Sequence, residues 1–506
     1  SRSTTTTDTS TTRRLDLGDG VEEPDGNPGA AMSYFQQIHQ VGPNHFVLPR
    51  IKDMKCRVDA FLSPDLLAQT IANGNEDLWQ QAVNSASYEG VTGVYLMPDT
   101  HTGFGIPIGG VVVTDETIIQ SGSGYDISCG VLALRVPGLL AENVVSWDKR
   151  EKWVVEVEQR VALGIGSERP PLALQIKPGA IDNVLRYGAK AVDVLNVKTD
   201  VCERLYIPVP ADTEFTKIER AYSKAAPQLG SLGGGNHFIE MQVDQEDGSV
   251  WIMIHSGSRG YGWQTANHFY YEAAKLRGLA KNQRERSHLF ADEPLGREYW
   301  AHHNSAANFA IANRFAIAVG VMEALGEVFG VDAVPYYDIS HNLIQEETLV
   351  LPDGNTRKGF VHRKGATRAF PSGHPDLEGT RWEKTGHPCL IPGSMFSGAA
   401  ILFPRENAHQ SACSVNHGSG RLYGRAQAKR ELEEMQDDID EEMQTVKREF
   451  AGVEIEGIVS NTEKTPLDEC THVYKDLDTV VGILVDEGIT KVARRMWPVA
   501  NIKGVD

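Results

Sequence analysis

Residues 123–130 read Ser-Gly-Tyr-Asp-Ile-Ser-Cys-Gly. A carboxylate, Asp126, and a thiol, Cys129, stand three positions apart between glycines, and on a tight turn both can face one point. A hard ligand beside a soft one suits a divalent transition metal. A buried cysteine in a Gly-rich turn is the plainer use of the same residues. Two donors do not complete a metal site, so the metal reading depends on ligands from distant parts of the chain.

Histidines supply the candidates. His237 follows three glycines and Asn236. His255 ends an apolar run over 250–254 and opens Ser-Gly-Ser-Arg, and His341 follows another run over 334–339. With Asp126 and Cys129 these residues have the right types for one metal ion or a pair. A fourth, His417, lies in Val-Asn-His-Gly-Ser-Gly-Arg, four residues before Arg421. Asp99 and His101 close a short strand over 94–97 and are further site candidates, against the plainer reading of a self-satisfied polar turn. The run Gly103-x-Gly105-x-x-x-Gly109 is a near miss to a dinucleotide fingerprint. Its spacing is wrong, and Pro107 forbids a helix there, which excludes a Rossmann site. No GxxxxGK[ST] is present, so no P-loop holds nucleotide. The Lys-x-Asp-Gly nucleophile of ATP- or NAD-dependent ligases is missing too.

Among 506 residues the formal charge is −19. No global positive field draws in nucleic acid, so any such site must be a local basic patch. The run Val361-His362-Arg363-Lys364-Gly365-Ala366-Thr367-Arg368 is read as that patch, a compact loop for phosphate oxygens. Six scattered cysteines without a CxxC pair argue against a disulfide framework or a zinc ribbon and fit a reducing cytoplasm. No apolar run reads as long enough to span a bilayer. Residues 1–31 are Thr, Asp, Gly and Pro with no signal-peptide core, an expected disordered tail. Folded sequence is expected over 32–506, with strands at 46–48, 94–97, 109–114, 250–254 and 334–339. Helices are expected at 64–88, 142–163, 180–196 and 304–329. A charged amphipathic helix over 424–450 carries Leu432, Met435, Ile439, Met443, Val446 and Phe450 on one stripe.

Eight motifs in order now define a resemblance: PDTHTGFGIPIG, GYDISCG, LGGGNHFIE, IHSGSRG, YDISHN, HRKGATRAFP, PGSM and NHGSGR. From about Phe46 to Lys503 the chain resembles the RtcB family of RNA ligases. The resemblance implies a single large α+β domain with mixed and antiparallel sheets flanked by helices. It implies joining of RNA 3′-phosphate or 2′,3′-cyclic phosphate ends to 5′-hydroxyl ends, in tRNA splicing or RNA repair. GTP is the implied cosubstrate and two Mn2+ ions the implied metals, although Cys and His donors alone would also suit zinc. In that family's pattern Asp126, Cys129, His237, His255 and His341 hold manganese, with the cysteine bridging. His417 takes GMP from GTP and Asp99 orients it. Asn236, Glu240, Ser394, Arg421, Tyr474 and Lys503 contact the guanylate. RNA ends are the implied partners, with room for an archease-like activator and no membrane.

The chain departs from the pattern at Leu132 (usually Arg), Phe396 (Gly), Ala399 (Ser), Asn416 (Cys) and Ser419 (Ala). The metal and phosphate parts are intact while the base pocket differs. A non-ligating RNA-end binder and a cyclic phosphodiesterase that stops after ring opening are therefore the rival readings.

Overall fold

The computed structural model describes residues 34–72, 76–166, 180–192, 201, 203–351, 354–422 and 424–504. The expected tail over 1–31 lies outside them. Two large sheets carry the architecture. The first has seven strands: His39–Gln40, His45–Leu48, Val58–Phe61, Val91–His101, Ile108–Thr114, Thr356–Lys364 and, at the edge, Asn342–Val350. Its pairings are antiparallel except between Val58–Phe61 and Val91–His101. The second runs Val334–Ser340, Gly130–Leu140, Ser249–Ser256, Phe238–Asp244, Thr490–Lys503, Ala399–Pro404, Cys389–Pro392. It is antiparallel throughout, apart from the short Val459–Ser460 lying parallel to Thr490–Lys503. Mixed and antiparallel sheets with flanking helices are what the resemblance implied.

The strands form where β-branched runs can be buried on both faces. Ser249–Ser256 is buried at every position but the first. Its cover is the 36-residue helix Pro294–Phe329, which packs across the second sheet and shares a core with Leu132, Leu134, Ile252 and Ile254 through Phe309 and Phe315. Each such side chain is worth about 1.5–3 kcal/mol on burial. This helix starts ten residues before the expected 304, with Pro294 in its first turn, where the missing N–H costs nothing. Gly330 ends it at φ +67°. It is long and apolar enough to cross a membrane, contrary to the reading of the sequence, but 83% of its most apolar stretch is buried inside the protein. Its polar residues explain its place: Asn308, Asn313 and Arg314 are buried and hydrogen-bonded to surrounding backbone and side chains. It is a core helix. A second core lies under the first sheet, around Phe46, Val58, Leu96 and Val112, closed by Leu477 and Leu484.

Several expectations are corrected. The run over 361–368 is no exposed loop: it is the end of the strand Thr356–Lys364, a turn at Gly365, and the strand Ala366–Arg368. Arg363 is buried in an ion pair with Glu347, and Arg368 in one with Glu203 at 3.1 Å. The helix over 424–450 is broken into Arg425–Leu432, a 3-10 turn Glu433–Met435 and Gln436–Thr445, and Lys447–Phe450 is a strand. Ile439 and Met443 are buried as expected, while Met435 is exposed. The 64–88 segment holds two helices, Pro64–Ala72 and Glu76–Ser85. The helix expected over 142–163 is a 3-10 turn, Ala141–Val144, followed by Trp147–Arg160. In the 180–196 segment the helix is Ala180–Tyr187 with a 3-10 turn behind it, and positions beyond 192 lie outside the described residues.

The sheets meet where the chain passes from one to the other. Val334–Ser340 belongs to the second sheet, Asn342–Val350 to the first, and His341 is the single residue between them. That junction positions the site.

Candidate metal centre and nucleotide cavity

The Asp126–Cys129 turn enters the second sheet at Gly130, and Ser128 within it takes φ +61°. A side chain rarely adopts that conformation without outside support. Support comes from below: Ser128 N–H donates to the Asn342 carbonyl at 2.6 Å, and Arg314 donates to the Ser128 carbonyl at 2.7 Å. Arg314 is itself locked to Asp338 at 2.5 and 2.9 Å, with both side chains essentially without exposure.

All five expected metal ligands converge. Cys129 Sγ lies 3.4 Å from His237 Nε2 and 3.2 Å from His255 Nε2, and His255 Nε2 lies 3.2 Å from His341 Nε2. Asp126 Oδ2 is 3.0 Å from His237 Nε2. Two donor groups result, Asp126–Cys129–His237 and Cys129–His255–His341, with Cys129 in both. The tautomers decide what this arrangement needs. His237 Nδ1 meets the Leu232 carbonyl at 2.9 Å, and His255 Nδ1 meets the Asn236 carbonyl at 3.1 Å. A carbonyl only accepts, so each Nδ1 carries a proton, and it is Nε2 that each ring turns inward as its metal-binding nitrogen. Bare nitrogens then face a thiol and each other at hydrogen-bond range, and the His237 nitrogen reaches the Asp126 carboxylate only through a shared proton or cation. Burial, with neighbouring charge behind it, holds His255 and His341 well below the usual histidine range. Burial and Asp126 push the Cys129 thiol well up. Burial also opposes ionisation of Asp126, but the His237 contact and Arg259 outweigh it and hold this carboxyl at about 2. Such a set of inward lone pairs is satisfied by cations between the donors, and the residues fit a pair of metal ions. Gly233 makes the close approach possible: at φ +99°, a Cβ there would lie 2.6 Å from His237 Nδ1.

Beside this centre opens a cavity of about 320 Å³, within the range of small-molecule sites. His417 lines it, presented by the strand Ser414–Asn416, which pairs with Ala366–Arg368. His417 Nδ1 bonds Asp99 Oδ2 at 2.6 Å, and the same oxygen accepts the His417 backbone N–H at 3.1 Å. Asp99 has no exposed surface, and its other carboxylate oxygen has no hydrogen-bond partner among the described residues. The Asp99 contact fixes the tautomer and leaves His417 Nε2 as the free ring nitrogen. The His417 ring stands edge-on to His341, with centroids 5.0 Å apart. Gly420, at φ +77°, lets the loop close over Asp99, because a Cβ there would collide with the Asp99 backbone. His101, also a candidate, turns its Nδ1 to the Asp99 carbonyl at 2.9 Å, and burial holds it at about 4 despite that bond.

The six expected guanylate contacts all line the same cavity. Arg421 donates to Tyr474 Oη at 3.0 Å, to Glu469 at 3.3 Å and to the Asp468 carbonyl at 2.5 Å. Tyr474 donates to Glu469 at 2.5 Å, and Lys503 Nζ lies 3.4 Å from it. Ser394 Oγ meets Thr471 at 2.7 Å. Burial raises Glu240 to about 7 against donors from Gln242 and Asn501 at 2.6 Å each. Glu469 is a residue that the sequence does not reveal. It gathers Arg421, Arg425, Tyr474 and Lys503, and its position in Asp-Glu-Cys-Thr carries no motif. Lys475 is another. It donates to the carbonyls of Pro98 and Thr100 at 3.1 and 2.9 Å, and burial brings it down to about 8 beside Asp99.

The departures from the family pattern sit outside the His417–Asp99 contact. Leu132 is core. Phe396 packs with Met443 and Ile458, where the broken charged helix docks. Ala399 is buried in its strand, and Asn416 donates to the Gly418 carbonyl at 2.8 Å, bracing the His417 loop.

The family model described as tRNA-splicing ligase RtcB matches residues 81–504. A tRNA-splicing ligase RtcB of Aeropyrum pernix is 33% identical over 455 residues, covering 84% of this chain and 91% of its own length. Those of Thermococcus kodakarensis and Archaeoglobus fulgidus are 34% and 35% identical, covering 84% and 85% of this chain and 90% and 91% of their own.

Proposed function

Because this chain belongs to the RtcB family, we propose that it is an RNA ligase. It joins 3′-phosphate or 2′,3′-cyclic phosphate ends to 5′-hydroxyl ends, using GTP and a GMP adduct on His417. The observation that carries this reading is the bond from His417 Nδ1 to the buried Asp99 at 2.6 Å, beside two donor groups sharing Cys129. A neutral imidazole fixed by a carboxylate is a nucleophile at its other nitrogen. His417 Nε2 attacks the α-phosphorus of GTP; an N–P bond forms and pyrophosphate leaves. A 2′,3′-cyclic phosphate is first opened by water, which breaks the P–O2′ bond and leaves a 2′-hydroxyl and a 3′-phosphate; an oxygen of the RNA 3′-phosphate then takes GMP from the histidine, breaking the N–P bond. The 5′-hydroxyl attacks the activated 3′-phosphorus, loses its proton, and GMP departs.

Asp99 holds the tautomer and offsets positive charge that develops on the ring. Asn236, Glu240, Ser394, Arg421, Tyr474 and Lys503 are assigned to the guanylate, all of them lining the cavity with His417. Asp126, Cys129, His237, His255 and His341 would hold two manganese ions, which when bound supply positive charge for the phosphates.

Labelling with α-labelled GTP and manganese tests the assignment. The His417→Ala variant should form no acid-labile GMP adduct and join nothing from GTP. Given RNA already carrying GMP on its 3′ end, it should still join it, because the histidine's step is over. An adduct that persists in His417→Ala places the nucleophile elsewhere, with His101 next to be replaced.

A further inference from the structure

Arg363 and Arg368 are buried in ion pairs and Lys364 donates to the Phe104 and Ile106 carbonyls, so the exposed phosphate-binding patch that an acidic RNA-binding chain needs lies elsewhere. One segment stands out. Residues 259–286 hold six Lys or Arg and two Glu in a chain of formal charge −19. Arg259 and Arg277 are committed to Ser231 and Glu293. Lys275, Lys281 and Arg286 are exposed and Arg284 is half-buried, on the last turn of the helix Arg259–Leu276 and the 3-10 turn Lys281–Arg286 that follows it.

Aromatic rings lie among these cations. Trp263, on the same helix, is 46% exposed and stacks on Tyr125, with centroids 5.5 Å apart and planes 21° from parallel. Tyr125 lines the cavity and precedes the ligand Asp126, so the stack runs from solvent to the rim of the metal centre. Tyr271, also exposed, lies under two cations, with Arg284 at 5.1 Å and Lys281 at 5.8 Å from its centroid. Arg284 donates to Tyr125 Oη at 3.4 Å, which joins the two aromatic groups. A duplex hides its bases, whereas a single strand presents π-faces to stack and phosphates to pair. Exposed rings with interleaved cations are the complement of the latter.

We propose that Trp263, Tyr271, Lys281, Arg284 and Arg286 form the landing surface for the single-stranded RNA next to the reacting end. A base stacks on Trp263 and phosphates lie along the cations. This assignment rests on the ligase reading for the identity of the end, but the surface can be tested without turnover.

The test measures affinity of a short single-stranded RNA ending in a 3′-phosphate by fluorescence anisotropy across salt concentrations, with a duplex of the same sequence as comparator. Trp263→Ala should weaken single-strand binding about 10-fold, the usual effect of removing one stacking platform. Trp263→Tyr should restore most of it. Neutralising Lys281 and Arg286 to Gln should flatten the salt slope by about 1.4, roughly 0.7 for each phosphate no longer neutralised. GMP labelling without RNA and melting temperature should stay at the parent's values in all three, which separates a binding defect from a folding defect. Single-strand affinity within twofold of the parent in Trp263→Ala, or a drop shared equally by the duplex, overturns the proposal. If the unaltered protein binds RNA through Trp263 yet never joins ends, the surface stands and the ligase reading falls.

Discussion

Asp99→Asn separates the charge of Asp99 from its geometry. Asp99 Oδ2 accepts both the His417 ring N–H at 2.6 Å and its backbone N–H at 3.1 Å. An Asn oxygen in the same place keeps both bonds and the volume, so the change removes one negative charge from a side chain with no exposed surface. Phosphoryl transfer makes the ring cationic. At roughly 4 Å and an effective dielectric of about 20, that cation and the carboxylate attract by about 4 kcal/mol. Part of this is present before attack, because the carboxylate already orients the neutral ring. A remainder of about 2–3 kcal/mol predicts a fall of roughly 30–100-fold in the rate of GMP labelling, at about 1.4 kcal/mol per tenfold. Single-turnover labelling by rapid quench measures that rate, and elemental analysis should show the parent's metal content. Asp99→Ala should be slower still, since it also leaves the backbone N–H without its acceptor. Labelling within threefold of the parent for Asp99→Asn would mean that the carboxylate only positions His417. Loss of metal would mean that Asp99 belongs to the other cluster.

Cys129→Ala should lose most bound metal and all joining, because both donor groups share this sulfur; full metal content by elemental analysis would remove the bridging role. Arg363→Gln strands Glu347, whose side chain is 2% exposed, and should cost about 3–5 kcal/mol in denaturant unfolding. The salt slope of RNA binding should not change in that variant, and a flatter slope would restore Arg363 as a phosphate contact. Glu240 has its folded pKa raised by burial to about 7, so it stabilises the ligand-free fold below the ordinary carboxylate range and loses that contribution as pH rises through 7. Glu240→Gln, which mimics the protonated form, should therefore gain about 3 kcal/mol over the parent at pH 8 and almost nothing at pH 4. Equal unfolding midpoints at both pH values would show that Glu240 ionises freely.

The metal ligands and His417 are legible because each lies in a short Gly- or Ser-flanked run. Asp126 with Cys129, Asn236 with His237, and His417 with Arg421 are local patterns that the structure brings to one place. Residues whose role depends on a distant partner are not legible. Arg363 and Arg368 look like a phosphate loop until Glu347 and Glu203 come into contact with them, and nothing near 361–368 announces those carboxylates. Glu469 is invisible for the same reason, since its importance lies in four partners drawn from three segments. The helix Pro294–Phe329 extends beyond its apolar stretch because its first turns carry Arg297, His302 and His303, polar residues that a surface reading discounts. Two of these, His302 and His303, are buried in the core. In the 424–450 segment the apolar stripe is real at Ile439 and Met443, but a stripe cannot reveal the break at 433–435.

The central claim is that His417 carries the guanylate. The direct measurement is mass spectrometric mapping of the adduct formed with GTP and manganese, with digestion kept at neutral to alkaline pH to preserve an acid-labile N–P bond. The account predicts a GMP mass on the peptide containing His417, with fragment ions placing it on that residue. A GMP mass on any other residue, or none on a protein that still joins RNA ends from GTP, would contradict it.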